Sequence, residues 1–252
     1  MNPFSFLYTE VLYRPLLNLL VGITNVLPGH SIGFAIIAVT FLVRLVLLPS
    51  SLHHARQMRA NQGKMDGVKK DLVKIKEKHK DDKAKQAEET MRLYREAGIN
   101  PASGCLPLLI QLPILIALYR VFLTGLSPDT FHFLYGFVSE PTVIQTMFFG
   151  LALDEPSLLL GVVAAVAQFT QMKWLSPTPP VGAQPGANED AAAMMASMQK
   201  NMMYIFPVMT IFISLQLPGA LALYWATSTI FGMVQQYILK RTLHLEGNPP
   251  AV

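Results

Sequence analysis

Apolar residues gather into five runs along the chain, separated by polar stretches of very different character. A helix needs about 20 predominantly apolar residues to cross the hydrocarbon of a bilayer. The spacing predicts spans over 31–50, 105–125, 156–175, 201–217 and 218–240. The first has Ile32 to Leu48 as its apolar body and closes on Pro49, and the second carries Gln111 and Pro113 inside it. Pro218-Gly219 is a breaker pair, so the last two spans form a tight helical hairpin. The fourth is short enough to stand with little tilt or to thin the bilayer around it. Ahead of these runs, Pro15 to Leu27 is apolar but short, and Glu10, Arg14 and Pro15 interrupt what precedes it. No basic region leads Phe4 to Leu7, so a cleaved signal peptide is not expected. Residues 1–30 are expected to hold a helix lying in the membrane interface.

The polar stretch 51–104 has a helical period of its own. Met58, Met65, Val68, Leu72 and Ile75 are spaced 7, 3, 4 and 3 residues apart, and Ala84, Ala87, Met91 and Tyr94 are spaced 3, 4 and 3. Each set makes one apolar stripe on a helix. His79-Lys-Asp-Asp-Lys83 suits the turn between them, and Gly98-Ile-Asn-Pro101 ends the pair. A two-helix hairpin outside the membrane is expected. The remaining connections are a loop over 126–155, a Pro-, Gly- and Ala-rich loop over 176–200 and a short tail over 241–252.

Composition agrees with a membrane setting. The chain is 52% apolar and 14% charged, where soluble domains carry about 25% charged residues. Charge distribution fixes the orientation. Of the 20 lysines and arginines, 13 lie in 51–104 with eight acids, a net +5, whereas 124–157 has four acids and no lysine or arginine. Basic loops stay cytoplasmic. The hairpin, the 176–200 loop and the tail are therefore expected inside, with 126–155 and the N-terminus outside; Lys173, Lys200, Lys240 and Arg241 then fall at cytoplasmic span ends. The net positive charge of the hairpin also suits a position near anionic lipid. Cys105 is the single cysteine, which excludes an intrachain disulfide framework and reads as a small packing residue.

The most informative polar residue is Arg44, deep inside the first run. A guanidinium at membrane depth costs several kcal/mol, about 2.5–3.5 on insertion scales, and cannot be relieved by deprotonation. No acid occurs within any of the five apolar runs to pair with it. Water, backbone carbonyls, a structural contact with a neighbouring helix or an acidic client must satisfy it. The absence of intramembrane acids argues against a proton relay or cation-coupled transporter. Thr40 stands one turn before Arg44 on the same face, unless its hydroxyl bonds back to its own helix. Gln168 and Gln171 end the third run, at the interface or facing inward, and Tyr224, Trp225, Gln235 and Gln236 mark the fifth. If these faces turn together they enclose a wet cavity open to the cytoplasm. His53-His54 do not share a helix face and do not make a metal pair. No HExxH, GxSxG or phosphate-binding glycine loop occurs, so neither a catalytic site nor a metal or other cofactor is expected.

Several motifs in order resemble the YidC/Oxa/Alb membrane protein insertases. Thr40-Phe-Leu-Val-Arg-Leu-Val-Leu-Leu-Pro49 is similar to that family's first shared span, and Lys76-Glu-Lys-His-Lys-Asp-Asp-Lys83 to its hairpin tip. Leu93-Tyr-Arg-Glu-Ala-Gly-Ile-Asn-Pro101 and Gly104-Cys-Leu-Pro-Leu-Leu-Ile-Gln-Leu-Pro113 resemble the hairpin exit and second span. Phe206-Pro-Val-Met, Leu217-Pro-Gly-Ala-Leu-Ala-Leu-Tyr-Trp225 and Gln235-Gln-Tyr237 resemble the final helical pair, so the resemblance covers roughly 8–241.

The resemblance implies an all-α integral membrane fold of five transmembrane helices around a hydrophilic groove open to cytoplasm and lipid. It implies a bacterial inner-membrane location and an insertase and chaperone role rather than an enzymatic one. The groove would receive hydrophilic segments of nascent membrane proteins and release their hydrophobic segments into lipid. Arg44 takes the position of the groove arginine; Thr40, Trp225, Gln168 and Gln171 are the other groove positions expected to meet clients. A Sec translocon partnership rests on the resemblance alone. The short tail, with Lys240 and Arg241 as its basic residues, gives only a weak signal for ribosome docking, and nucleic-acid binding is not expected. The large external domain of many Gram-negative members and a lipoprotein-type N-terminal cysteine are not found in the sequence. The rival reading is a small transporter or anion-selective pore with Arg44 as its selectivity charge; a purely structural assembly factor is a third, in which Arg44 would tolerate neutral replacement.

Overall fold

The computed structural model describes residues 3–80, 82–99, 106–123, 127–141, 143–175 and 192–245. Cys105, most of the 176–200 loop, the hairpin exit at Asn100-Pro101 and the end of the tail lie outside the described residues. The chain forms two compact units. The first comprises Met1–Leu48, Leu108–Gln171 and Pro207–Val252, the second Pro49–Pro107 and Met172–Phe206.

The first unit begins with α1 (Pro3–Tyr8), a π-helical segment (Thr9–Tyr13) and α2 (Arg14–Val26), which run on as one rod. Pro15 interrupts the sequence pattern without breaking the helix. A proline lacks an N–H, and its ring collides with the carbonyl four residues back. The π turn opens the ladder just ahead of it, with the Arg14 N–H donating to the Thr9 carbonyl. Arg14 also pairs with Glu10 at 3.1 Å, which neutralises both charges within one turn. The apolar stretch Phe6–Val26 is consequently 21 residues long, enough to cross a membrane by length and composition.

Next come α3 (Ile32–Val46), α6 (Leu106–Leu123), α7 (Leu158–Leu175) and α9 (Gly219–Leu245), with α8 (Ala192–Ser214) entering the unit at Pro207. The core is Leu16, Leu17, Leu20 and Val21 of α2, Ile32, Ala35, Ile36 and Val39 of α3, part of α6, and Ala220 to Tyr224 of α9. The outer faces carry larger side chains: Phe41, Leu45 and Val46 on α3, Leu159, Val162 and Val166 on α7, and Val208 and Phe212 on α8 are all exposed. Inside, Thr40, Gln168, Thr210, Ser214, Ser228 and Thr229 are buried. Large apolar residues thus face outward as well as inward, and the polar ones are kept inside, where interhelical hydrogen bonds can join helices that pack in lipid. Arg120 near the end of α6 lies over the Tyr8 and Tyr13 rings, 5.9 Å from each centroid.

The loop between α6 and α7 has more structure than its sequence suggests. A 3-10 turn covers Pro128–Phe133, and β1 (Met147–Phe148) pairs antiparallel with β2 (Leu151–Ala152). Buried Asn18 of α2 holds the loop down: its amide donates to the Phe133 carbonyl at 3.0 Å and its oxygen accepts from the Tyr135 N–H. The β-turn carries Phe149 at φ +49° and Gly150 at φ +80°, the signature of a type I′ hairpin. Asparagine or glycine normally fills the first of these positions. A phenylalanine there costs about 1–2 kcal/mol.

The second unit contains α4 (Leu48–Lys78), with Pro49 in its first turn, and α5 (Lys83–Glu96). Leu72, Tyr94 and Ile99 form its core, flanked by Met65, Val68, Leu93 and Ala97. Asp82 caps α5 by accepting from the Lys85 N–H at 2.9 Å. Gly98, at φ +62°, ends it in a Schellman turn, the Ile99 N–H donating to the Tyr94 carbonyl. The α4 stripe is as expected. On α5 the expected stripe is corrected: Ala84, Ala87 and Met91 are exposed, and the buried face runs through Gln86, Leu93, Tyr94 and Ala97. Two alanines bury too little surface to orient a helix, so the larger side chains near its C-terminal end decide.

Candidate functional site

Arg44 projects from the last turn of α3, and α9 packs along that helix. Its Nε donates to Ser228 Oγ at 2.9 Å, and Nη2 donates to the same oxygen. Ser228 is buried, one turn after Tyr224 on the same face of α9. Gln111 Nε2 of α6 donates to the Tyr224 hydroxyl. Two polar pairs, Gln111 with Tyr224 and Arg44 with Ser228, therefore meet one face of α9 from α6 and α3. Among the described residues no carboxylate pairs with Arg44. Among the described residues, two of the five guanidinium N–H groups meet one neutral acceptor, Ser228 Oγ. The side chain is half-buried, so the cation is neither in bulk water nor sealed in the core.

The other expected residues divide. Thr40 is buried and its hydroxyl donates to the Ile36 carbonyl at 2.6 Å, the backbone-bonded alternative. Trp225 is half-buried beside Tyr224 in the sequence. Gln171 is half-buried and lies against α9 at Gly232, where a Cβ would come within 2.6 Å of its Nε2. Gln168 belongs to a second cluster. It is buried, and its Oε1 accepts from Thr210 Oγ1 of α8 at 2.7 Å, while Ser214 Oγ donates to the Thr210 carbonyl at 2.7 Å. That cluster joins α7 to α8.

Ser228 and Gln111 are the partners that sequence reading does not single out. Ser228 follows Tyr224 by four residues, the spacing of one helix face, which is the available signal. A serine in an apolar helix is too common to stand out without knowing that Arg44 faces it.

A family model described as "60Kd inner membrane protein" matches residues 23–246. Among curated relatives, "Membrane protein insertase YidC" of Fusobacterium nucleatum is 34% identical over 237 residues, which cover 94% of this chain and 98% of that protein. "Membrane protein insertase MisCB" of Bacillus subtilis is 35% identical over 94% of this chain and 81% of its own. "Membrane protein insertase YidC" of Pelagibacter ubique is 33% identical over 85% of this chain, but the match spans only 36% of that longer protein.

Proposed function

The chain belongs to the YidC/Oxa/Alb family of membrane protein insertases, integral inner-membrane proteins and not enzymes, and we propose from that premise that Arg44 is the point at which it engages its clients. In this reading α3, α6, α7, α8 and α9 are the five spans, the N-terminus is outside and the tail is cytoplasmic. A hydrophilic, acidic segment of a nascent membrane protein enters from the cytoplasmic side, met first by the α4–α5 hairpin. It settles against the Arg44 guanidinium, with Trp225 and Gln171 beside it and with Thr40 and Gln168 as wall residues. The client's hydrophobic segment then moves into lipid.

The observation that carries this is the state of Arg44: a permanent cation in an apolar helix, oriented by Ser228 and without an acidic partner among the described residues. In surroundings of low dielectric such a charge attracts a carboxylate more strongly than it would in water. Crossing then requires less hydrocarbon to be traversed by the polar segment, and burial of the client's own apolar residues, at about 25 cal/mol per Å², supplies the driving force without nucleotide.

The test is insertion into proteoliposomes containing the purified chain. The client is a single-span protein with a short acidic N-terminal tail, scored by protection of that tail from added protease. Arg44→Lys should keep most of the wild-type insertion and Arg44→Ala should lose it. Equal insertion by Arg44→Ala and wild type would make the arginine structural and sink the reading.

A further inference from the structure

We propose that the β1–β2 hairpin is a lipid anchor, its Phe149 ring seated in the leaflet at which α3 begins. The hairpin is fixed to the start of that helix. The Gln145 N–H donates to the His30 carbonyl at 3.0 Å, and the Ile32 N–H donates to the Gln145 carbonyl at 3.1 Å. Phe148 lies against Gly33, so closely that a Cβ there would come within 2.2 Å of its ring. Phe34, in the first turn of α3 and half-exposed on the outer face, meets Phe148 at 5.2 Å and Phe149 at 6.1 Å between ring centroids. Phe148 and Phe149 are 4.7 Å apart.

These contacts set depth. Phe34 lies two residues into α3, about 3 Å along the axis from its first residue. If α3 spans the bilayer, Phe34 is at the hydrocarbon edge, and the Phe149 ring, 6.1 Å from it, lies within that distance of the same level. Phe149 has little else to touch: it is 83% exposed. Its backbone holds a left-handed conformation that a bulky residue rarely adopts, at a turn position where asparagine or glycine is the usual choice. A strained, exposed aromatic is retained when its side chain has a use. Aromatic rings at the interface are a common anchor of membrane proteins. The hairpin and its flanks from 127 to 152 contain no lysine or arginine that would favour a nucleic acid or acidic partner instead. Bilayer lipid is the occupant that the position of the ring selects.

The inference rests on α3 being a span, not on insertase activity. The full chain carrying Cys105→Ala and Phe149→Cys is labelled with an environment-sensitive nitrobenzoxadiazole dye and reconstituted into phosphatidylcholine vesicles. A second sample carries the label at Glu140→Cys, an exposed residue of the same loop. The label at 149 should emit to the blue of the one at 140. It should be shielded from iodide and be quenched more by a doxyl group near the headgroup than by one deep in the acyl chain. Red-shifted emission with iodide access equal to that at 140 would overturn the anchor, whether the ring then faces water or awaits a protein partner. A Phe34→Cys label in the same vesicles separates the causes. If it too is in water, α3 does not enter the bilayer there and the span assignment fails; if it is buried while 149 is wet, only the anchor fails.

Discussion

The two polar clusters of the membrane unit use similar side chains for opposite ends. In the α7–α8 cluster, Gln168 accepts from Thr210 and Ser214 bonds the Thr210 carbonyl, all of them buried and neutral. Such a set adds to packing and asks nothing of a visitor. In the α3–α9 cluster, Ser228 and Tyr224 are equally buried, but the residue they orient is a cation that remains half-open. The difference lies in what is left over. Hydroxyl and amide groups can satisfy one another completely; a guanidinium held by one serine keeps donors and a charge to spare among the described residues.

That contrast can be broken in order of expected effect. Arg44→Ala should lower insertion of an acidic-tailed client at least about tenfold, equivalent to ~1.4 kcal/mol, in the proteoliposome assay, while Gln168→Leu, which changes only the wall, lowers it by less than about twofold. Comparable losses from both would erase the distinction. Ser228→Ala keeps the charge but frees it, and insertion should fall only about two- to fivefold, or about 0.4–1 kcal/mol, with Ser228→Thr restoring most of it. Gln168→Leu should instead appear in stability. Loss of one buried hydrogen bond, about 1 kcal/mol, should lower the melting temperature in detergent by about 2–4 °C, with Ser228→Ala changing it less.

The smallest effect concerns the α4–α5 hairpin. Burial raises the Tyr94 hydroxyl above its ordinary 10.0. The folded hairpin thus holds the proton more tightly than the unfolded one. Its stability is fully present below about pH 10 and is lost as pH climbs through the raised value. Protease cleavage at the His79–Asp82 turn of the full chain should be flat with pH up to that point and then rise. Tyr94→Phe should remove the rise; a rise that persists in Tyr94→Phe would place the titrating group elsewhere.

Some of this could be read from the chain and some could not. The cost of a cation in hydrocarbon marks Arg44 without any structure, and helical periodicity marks the packed face of α4. What fails is choosing among neighbours. Periodicity gives a helix its faces but not the partner that each face meets, so it marks neither Ser228 nor the choice between a groove role for Thr40 and its bond to the Ile36 carbonyl. The α5 stripe missed because it weighed two alanines equally with Tyr94. The Phe6–Val26 stretch was read as interrupted because a proline ordinarily stops a helix, and the π turn that accommodates Pro15 leaves no periodic trace. Phe149 escaped notice because a bulky residue at positive φ contradicts the turn preferences on which such readings depend.

Arg44 and the serine that holds it are 184 residues apart. At about 5–20 residues per second, a ribosome finishes Ser228 roughly ten to forty seconds after it has made Arg44. For that interval α3 exists without α9, and its guanidinium lacks the serine that orients it. Late synthesis of α9 thereby imposes an order on biogenesis: the cation is exposed first and oriented last, and a protein that helps others into the membrane spends its own birth in the condition of its clients.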